Sequence, residues 1–357
     1  MRADTPTQPT RPSKGVLLYG MYDLTGLDKA PKVRIEMLTR ALAGRTHTER
    51  IVGGRFRRAL TSLRWLAGGG PRRVRGVYVE STTTSSMPTD LAFLLIMRLL
   101  RRPVGVYFRD AYQLYRETYP RQRRRQILSD WAWRITKPML ARIATVRYVQ
   151  SAGLGAALHL RRPVLLPPGT DPSSPDLGAG AEPLVAYVGG GGWADGFDTL
   201  VAAMAIVRKS CPEARLVAVG PSLSAERRAG LPEYVELRKA GRDELAAVIK
   251  DARCCVIPRP ITEYTNFVIP IKLWDYLSYG KPVVATAATE TARVLEESGA
   301  GLATPDTAEG IAAGLLKPLL DENLARRLAA NARAFACAPG STWDARAATV
   351  IETLGLV

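Results

Sequence analysis

Histidine is almost missing from this chain: His47 and His159 are the only two in 357 residues. Imidazole metal centres and serine–histidine nucleophilic devices therefore have almost nothing to draw on, and metalloenzyme or classical hydrolase chemistry is a weak reading. Cysteine is scarce too. Cys211, Cys254, Cys255 and Cys337 show no metal-ligand spacing, and the adjacent pair cannot easily close a disulfide, so all four read as buried thiols of a reducing compartment. Long apolar runs are absent. The longest, Leu91 to Met97, stops at Arg98, short of the roughly eighteen residues of a spanning helix. The N-terminus has no apolar signal core, and residues 1–13, rich in Thr and Pro, read as a disordered leader. The expected location is the cytoplasm. Acidic residues are outnumbered, with 33 Asp and Glu against 50 Lys and Arg and a net charge of +17. Such an excess favours nucleic acid, anionic lipid surfaces or polyanionic ligands, and says nothing of fold.

What is present is ordinary for a soluble globular protein: 46% apolar and 23% charged residues, in a chain long enough for two domains with separate cores. One stretch organises it, Val268 to Thr286, reading VIPIKLWDYLSYGKPVVAT. Pro270 is placed as a first helical residue, Leu273, Trp274 and Leu277 form an apolar face, and Gly280 stands as a left-handed C-terminal cap. Lys281-Pro282 stops the helix, and Val283 to Thr286 reads as a short buried strand. Helical spacing puts Lys272, Asp275 and Tyr276 on the side opposite the apolar stripe. Ile269 offers no capping oxygen, so the first-turn N–H groups need another acceptor. Either a diphosphate sits there, with Lys272 beside it and Asp275 on ribose hydroxyls, or the pair is a solvated Lys–Asp couple capped by Asn266 or water.

A second signal is the strand–turn–helix of Leu184 to Val188, the four glycines Gly189, Gly190, Gly191 and Gly192, and Phe197 to Lys209. Backbone N–H groups can approach a phosphate in such a turn without hindrance from Cβ atoms. Strands also read at 15–19, 74–80, 104–108 and 145–150, with helices between them, and again at 215–220, 235–237 and 254–258. This βα alternation argues for parallel sheets, whose ligands bind beyond the carboxyl ends of the strands. Gly20, Asp23 and Arg34 after the first strand, and Arg109 and Asp110 after Val104 to Phe108, are candidates on that ground, against plain connections or a structural carboxylate. The arginines between Tyr115 and Arg125 read either as a solvated run or as a basic surface for anionic headgroups.

Pro270, Lys272, Asp275-Tyr276-Leu277 and Gly280-Lys281-Pro282-Val283-Val284 resemble the signature of nucleotide-sugar glycosyltransferases of the GT-B fold, most of all the family 4 (retaining) group and its relatives. The resemblance implies an α/β fold of two Rossmann-like domains facing across a cleft. Residues 14–166 would be the acceptor-binding domain, 167–182 the linker, 183–338 the nucleotide-sugar domain, and 339–357 a helix packing back on the first domain. It implies a hexosyltransferase type of enzyme moving a sugar from a UDP- or GDP-type donor, with retention and without metal or cofactor, in cell-envelope glycan, glycolipid or secondary-metabolite synthesis. The acceptor would be a small molecule, a glycan or a lipid-linked group, with the inner face of the plasma membrane as a further partner and nucleic acid disfavoured. Asp110 would contact the transferred sugar, with inversion and Asp110 as its base the open alternative. The match departs at three places: Gly190 stands where the group has arginine, Asp195 where it has lysine, and Phe267 where it has the first of two acids. Lys272 and Arg259 would then supply the positive charge, Asp275 would keep the ribose, and Glu263 would approach the sugar. The other readings are a nucleotide-sugar epimerase on the same scaffold and a basic RNA- or lipid-binding protein.

Overall fold

A computed structural model describes residues 15–24, 30–119 and 124–356. The leader expected over 1–13 and part of the arginine run lie outside the described residues. The first half runs β1 (Gly15–Gly20), α1 (Ala30–Ala43), β2 (Thr48–Val52), α2 (Arg55–Ala67), α3 (Gly70–Arg73), β3 (Val74–Glu80), α4 (Pro88–Leu99), β4 (Val104–Tyr107), α5 (Arg124–Ile143), β5 (Val146–Val149), α6 (Ala152–Ala157) and β6 (Val164–Leu165). The second runs β7 (Glu182–Val188), α7 (Phe197–Ser210), β8 (Arg215–Val219), α8 (Ala225–Ala229), β9 (Val235–Arg238), α9 (Leu245–Ile249), β10 (Ala252–Ile257), α10 (Ile271–Ser278), β11 (Val283–Thr286), α11 (Thr289–Ser298), β12 (Gly301–Thr304), α12 (Ala308–Leu320) and α13 (Glu322–Cys337). A last helix, α14 (Trp343–Thr353), follows.

Each half is a six-stranded parallel sheet, ordered β2-β1-β3-β4-β5-β6 and β12-β11-β10-β7-β8-β9. Parallel strands are covered by helices on both faces, which is why GVLLYG and VVAT are apolar or small throughout and wholly buried, and why ARCCVI is so but for Arg253, which donates to the Ala181 carbonyl. Edge strands such as β2 and β9 are only partly buried, and β2 has no counterpart in the sequence reading. Thr48, Glu49 and Arg50 precede Ile51 there, so no apolar run forms. The direction of winding reverses between β1 and β3 in the first sheet and between β7 and β10 in the second. Such reversals open a crevice at the carboxyl ends of the strands.

The chain crosses between the halves twice. Thr170 pairs with the segment before α14, its N–H donating to Ser341 at 2.9 Å while the Trp343 N–H donates to the Thr170 carbonyl at 3.1 Å. Helix α14 then packs on α1, where Trp343, Ala347, Val350 and Leu354 share a core with Val16, Leu18 and Tyr78 of the first sheet. Cys211, Cys254 and Cys255 are buried, but Cys337 is exposed at the end of α13, contrary to the reading of four buried thiols. Among the described residues no helix is long and apolar enough to cross a membrane.

Trp343 is 5% exposed and is the largest side chain that α14 contributes to this core. Trp343→Ala is expected to destabilise the protein by about 3–5 kcal/mol through the cavity it leaves, read as a lower midpoint in urea unfolding.

Candidate active site

The reversal between β7 and β10 places Gly189 and Arg259, which follow those strands, at one end of the second sheet. The Gly189 N–H donates to Val219 at 3.0 Å, and the Tyr187 hydroxyl donates to the Gly190 carbonyl at 2.6 Å, so the turn is tied on both sides. A Cβ on Gly189 would stand 2.5 Å from Lys272 Nζ, and one on Gly190 would collide with the Asp195 carboxylate. The tip of α10 and the glycine turn therefore meet, and they meet because these two positions carry no side chain. Gly191 and Gly192 do not line the cleft; Gly191 backs onto Leu223 and Pro221 instead. This corrects the reading of four phosphate-facing glycines.

Helix α10 has no side-chain cap at its N-terminus. Pro270 is the N-cap residue rather than the first helical one, and the Ile269 N–H before it donates to Gln150 Oε1 at 3.0 Å. At the other end Gly280 has φ +65°, and the N–H groups of Gly280 and Lys281 return to Leu277 and Tyr276. That is the C-terminal lock expected of a left-handed glycine. Lys272 Nζ lies 5.0 Å from the Tyr187 ring centre. Burial pushes its ammonium down to about 8, with Asp195 opposing the shift and Arg259 adding to it.

Tyr276 does not share the polar face with Lys272 and Asp275. It is fully buried, and its hydroxyl accepts the Val188 N–H at 2.9 Å. Tyr276 thus positions the end of β7 and is not a donor-binding group. Asp275 does face the cleft, but Arg242 donates to both its oxygens at 2.7 and 3.1 Å. Arg242 carries no sequence signature and is reached only through the fold, from the turn that follows β9.

On the first-domain wall Asp110 accepts the Tyr264 hydroxyl at 2.8 Å. Burial holds its carboxyl above the usual carboxylate range, against the pull of Arg109, Tyr264 and Arg259. Arg109 Nη2 and Arg34 Nε donate to the two oxygens of buried Glu80 at 2.6 and 2.8 Å. Glu80 is a residue the sequence reading missed; its signal is an acid ending an otherwise apolar strand. Glu263 is not in the cleft. The Thr262 and Thr265 hydroxyls close a tight turn that sends Tyr264 inward, leaving Glu263 exposed and paired with the Tyr115 hydroxyl. Gly20 is also absent from the wall, being packed between Val52 and Ile35, and so is exposed Asp23. Arg34, Arg109, Asp110, Arg259, Lys272 and Asp275 are thus brought together around one cleft of about 1220 Å³.

Residues 182–321 match the family model described as Glycosyl transferases group 1, and that stretch runs from β7 to the end of α12 in the second domain. No curated protein sequence matches the chain. Among solved structures, the sucrose-phosphate synthase of Thermosynechococcus elongatus aligns at TM-score 0.69 and 18% identity, covering 95% of this chain and 98% of that one. HepE of Anabaena in complex with UDP aligns at TM-score 0.65 and 15% identity over 96% of this chain and 100% of that one. WaaG, a glycosyltransferase involved in lipopolysaccharide biosynthesis, aligns at TM-score 0.65 and 14% identity over 94% and 99%. At these identities the likeness establishes the fold: both domains and the cleft between them have the GT-B arrangement of glycosyltransferases.

Tyr276→Phe keeps the ring but removes the acceptor of a buried N–H. A loss of about 1–3 kcal/mol is expected, measured by urea unfolding against the parent protein.

Proposed function

We propose that this chain transfers a sugar from a nucleoside diphosphate donor, held by the second domain, to an acceptor held by the first. The observation that carries the reading is the uncapped tip of α10 with Lys272 Nζ laid against Gly189. A diphosphate fits there because free helix N–H groups, a close-approach glycine turn and two cations, Lys272 and Arg259, converge on one wall. When the bond between the anomeric carbon and the diphosphate oxygen breaks, the electron pair stays on the diphosphate. Charge placed beforehand on that wall stabilises it. These protein cations supply neutralisation without calling on a metal ion.

The Arg242–Asp275 pair marks the ribose side of the same wall, with Asp275 offering its carboxylate to hydroxyls. Asp110 is already engaged by Tyr264, which suits holding a sugar hydroxyl better than taking a proton, and retention of anomeric configuration is our stereochemical reading. UDP leads the donor candidates, because HepE, on the same fold, is seen with UDP and with UDP-glucose.

The exposed face of the first domain supports work at a membrane surface. Phe56 and Leu63 of α2, Leu99 of α4, and Leu128, Trp131 and Ile135 of α5 are all more than half exposed. They follow helical spacing, α4 packs between α2 and α5, and Arg57, Arg64, Arg98 and Arg134 are interspersed. Apolar anchors among arginines fit a bilayer with anionic headgroups.

A thermal-shift panel of nucleoside diphosphates and their sugars is expected to pick out one base. Lys272→Ala should weaken that ligand about ten- to a hundredfold, the cost of one charge-assisted contact. Since Lys272 gives up its proton as pH rises through about 8, affinity should fall from about pH 7 to about pH 9.5, and Lys272→Arg should flatten the profile. A variant lacking the lysine that binds the nucleotide as tightly as the parent would refute the donor site. Separately, the parent should pellet with phosphatidylglycerol vesicles and release as salt rises, and the double variant Leu128→Glu, Trp131→Glu should lose about tenfold in partition; equal pelleting of the two would count against the membrane face.

A further inference from the structure

Glu80 closes β3 without any exposed surface, yet it serves two guanidinium groups at once. Arg34 Nε reaches Oε1 at 2.8 Å, Arg109 Nη2 reaches Oε2 at 2.6 Å, and the Tyr78 hydroxyl also donates to Oε1 at 2.7 Å. One carboxylate therefore faces two buried cations. Arg34 is wholly buried and Arg109 is 8% exposed. The Arg34 guanidinium lies 3.6 Å over the Tyr107 ring, a contact that favours positive charge but does not cancel it. A third arginine, Arg346 of α14, lies close enough to feel the charge of Arg34, and burial first and Arg34 second push its own guanidinium down to about 10. Asp110, which accepts the Tyr264 hydroxyl, is a second carboxylate whose charge Arg109 feels, so two carboxylates face three arginines.

Donors are left over as well as charge. Nη1 of Arg34 and Nε of Arg109 are buried without a hydrogen-bond partner. Unpaired donors on buried cations are rare in folded proteins, and when they border a cleft a ligand is the natural acceptor. Arg34, Arg109 and Tyr107 do border it from the first domain, as Lys272 does from the second.

We infer that the acceptor carries an anionic oxygen group, a phosphate or a carboxylate, seated against Arg34 and Arg109. The word acceptor rests on the transfer reading above; the anion site itself does not. Guanidinium forks bind such groups through paired N–H donors, which a lysine would not reproduce.

The test titrates the full-length protein by calorimetry with inorganic phosphate, glycerol 3-phosphate, glycerate and, as the neutral partner, glycerol. Phosphate-type or carboxylate probes should bind where glycerol does not. Arg109→Gln should weaken them at least about tenfold, whereas Lys272→Ala should leave them within about twofold. Nucleoside diphosphates should show the reverse pattern. Arg34→Gln is the companion variant; because Arg34 is fully buried, Arg109→Lys, which keeps the charge and loses the fork, stands in if that protein does not fold. Vesicles containing phosphatidate separate a lipid headgroup from a soluble phosphomonoester, and Arg109-dependent binding of either supports the site. The inference is overturned if anionic probes and glycerol behave alike, if Arg109→Gln binds the probes as the parent does, or if only Lys272→Ala loses them. A protein that binds no nucleoside diphosphate but keeps Arg109-dependent anion binding would sink the transfer reading and leave this site standing.

Discussion

A lysine ammonium is held over a glycine turn, and most of the second domain is arranged to keep it there. Lys272 cannot be laid against Gly189 unless that residue and Gly190 lack side chains, unless β7 ends where Tyr276 accepts its last N–H, and unless α10 begins with no cap of its own. Each condition is a cost in isolation. An uncapped helix start leaves N–H groups unsatisfied, glycine loosens the unfolded chain, and a desolvated ammonium loses hydration. An anion bound between the helix tip and the glycine turn, as proposed above, would offset the first and the last of these.

The first domain solves the mirror problem with arginine. Its sheet reverses direction between β1 and β3, so the carboxyl end of β3 opens on the cleft, and that end is Glu80. Arg109 arrives from the loop after the neighbouring strand β4, and Arg34 from α1, both converging on one carboxylate. Two walls of a cleft thus present positive charge, one through a lysine beside a helix tip and the other through guanidinium groups stacked on Tyr107. Much of the +17 excess is spread over helices α2, α4 and α5 and their flanks, whereas Arg34, Arg109 and Lys272 are among the cations that line the cleft.

What could be read from the sequence was what local chemistry dictates. The segment around α10 announced itself because a proline near its start, an apolar stripe and a glycine beyond its end are all set by neighbours within a few residues, and Gly280 does take a left-handed φ. The two sheets were legible for the same reason, as buried parallel strands are continuous apolar runs. Side chains whose role depends on a distant partner were not. Tyr276 sits one residue beyond Asp275, and helical periodicity cannot decide that its hydroxyl meets the Val188 N–H. Glu263 and Tyr264 are adjacent, and only the hydrogen bonds of Thr262 and Thr265 determine which of them turns inward. Arg242 and Glu80 had no motif at all; both became visible through strand order.

The two domains touch through a seam that combines hydrogen bonds and aromatic packing. Ser151 donates to the Phe267 carbonyl at 2.7 Å and Gln150 accepts from Ile269, directional bonds that pin the base of the cleft beside α10. Above them Tyr112, Tyr115 and Tyr119 of the first domain meet Tyr264 and Phe267 of the second in tilted and edge-on pairs, with centroids 5.3 to 5.8 Å apart. Edge-on and tilted pairs at these distances are geometries that ring quadrupoles favour, each worth about 0.5–1.5 kcal/mol beyond the area it buries. Hydrogen bonds at the base, aromatic packing above them and the strand-like pairing of Thr170 with the segment before α14 thus tie the two domains together at three places. The cations of the two walls, Arg109 and Arg34 on one and Lys272 and Arg259 on the other, are held around one cleft by that seam, and their mutual repulsion is a cost the seam has to offset.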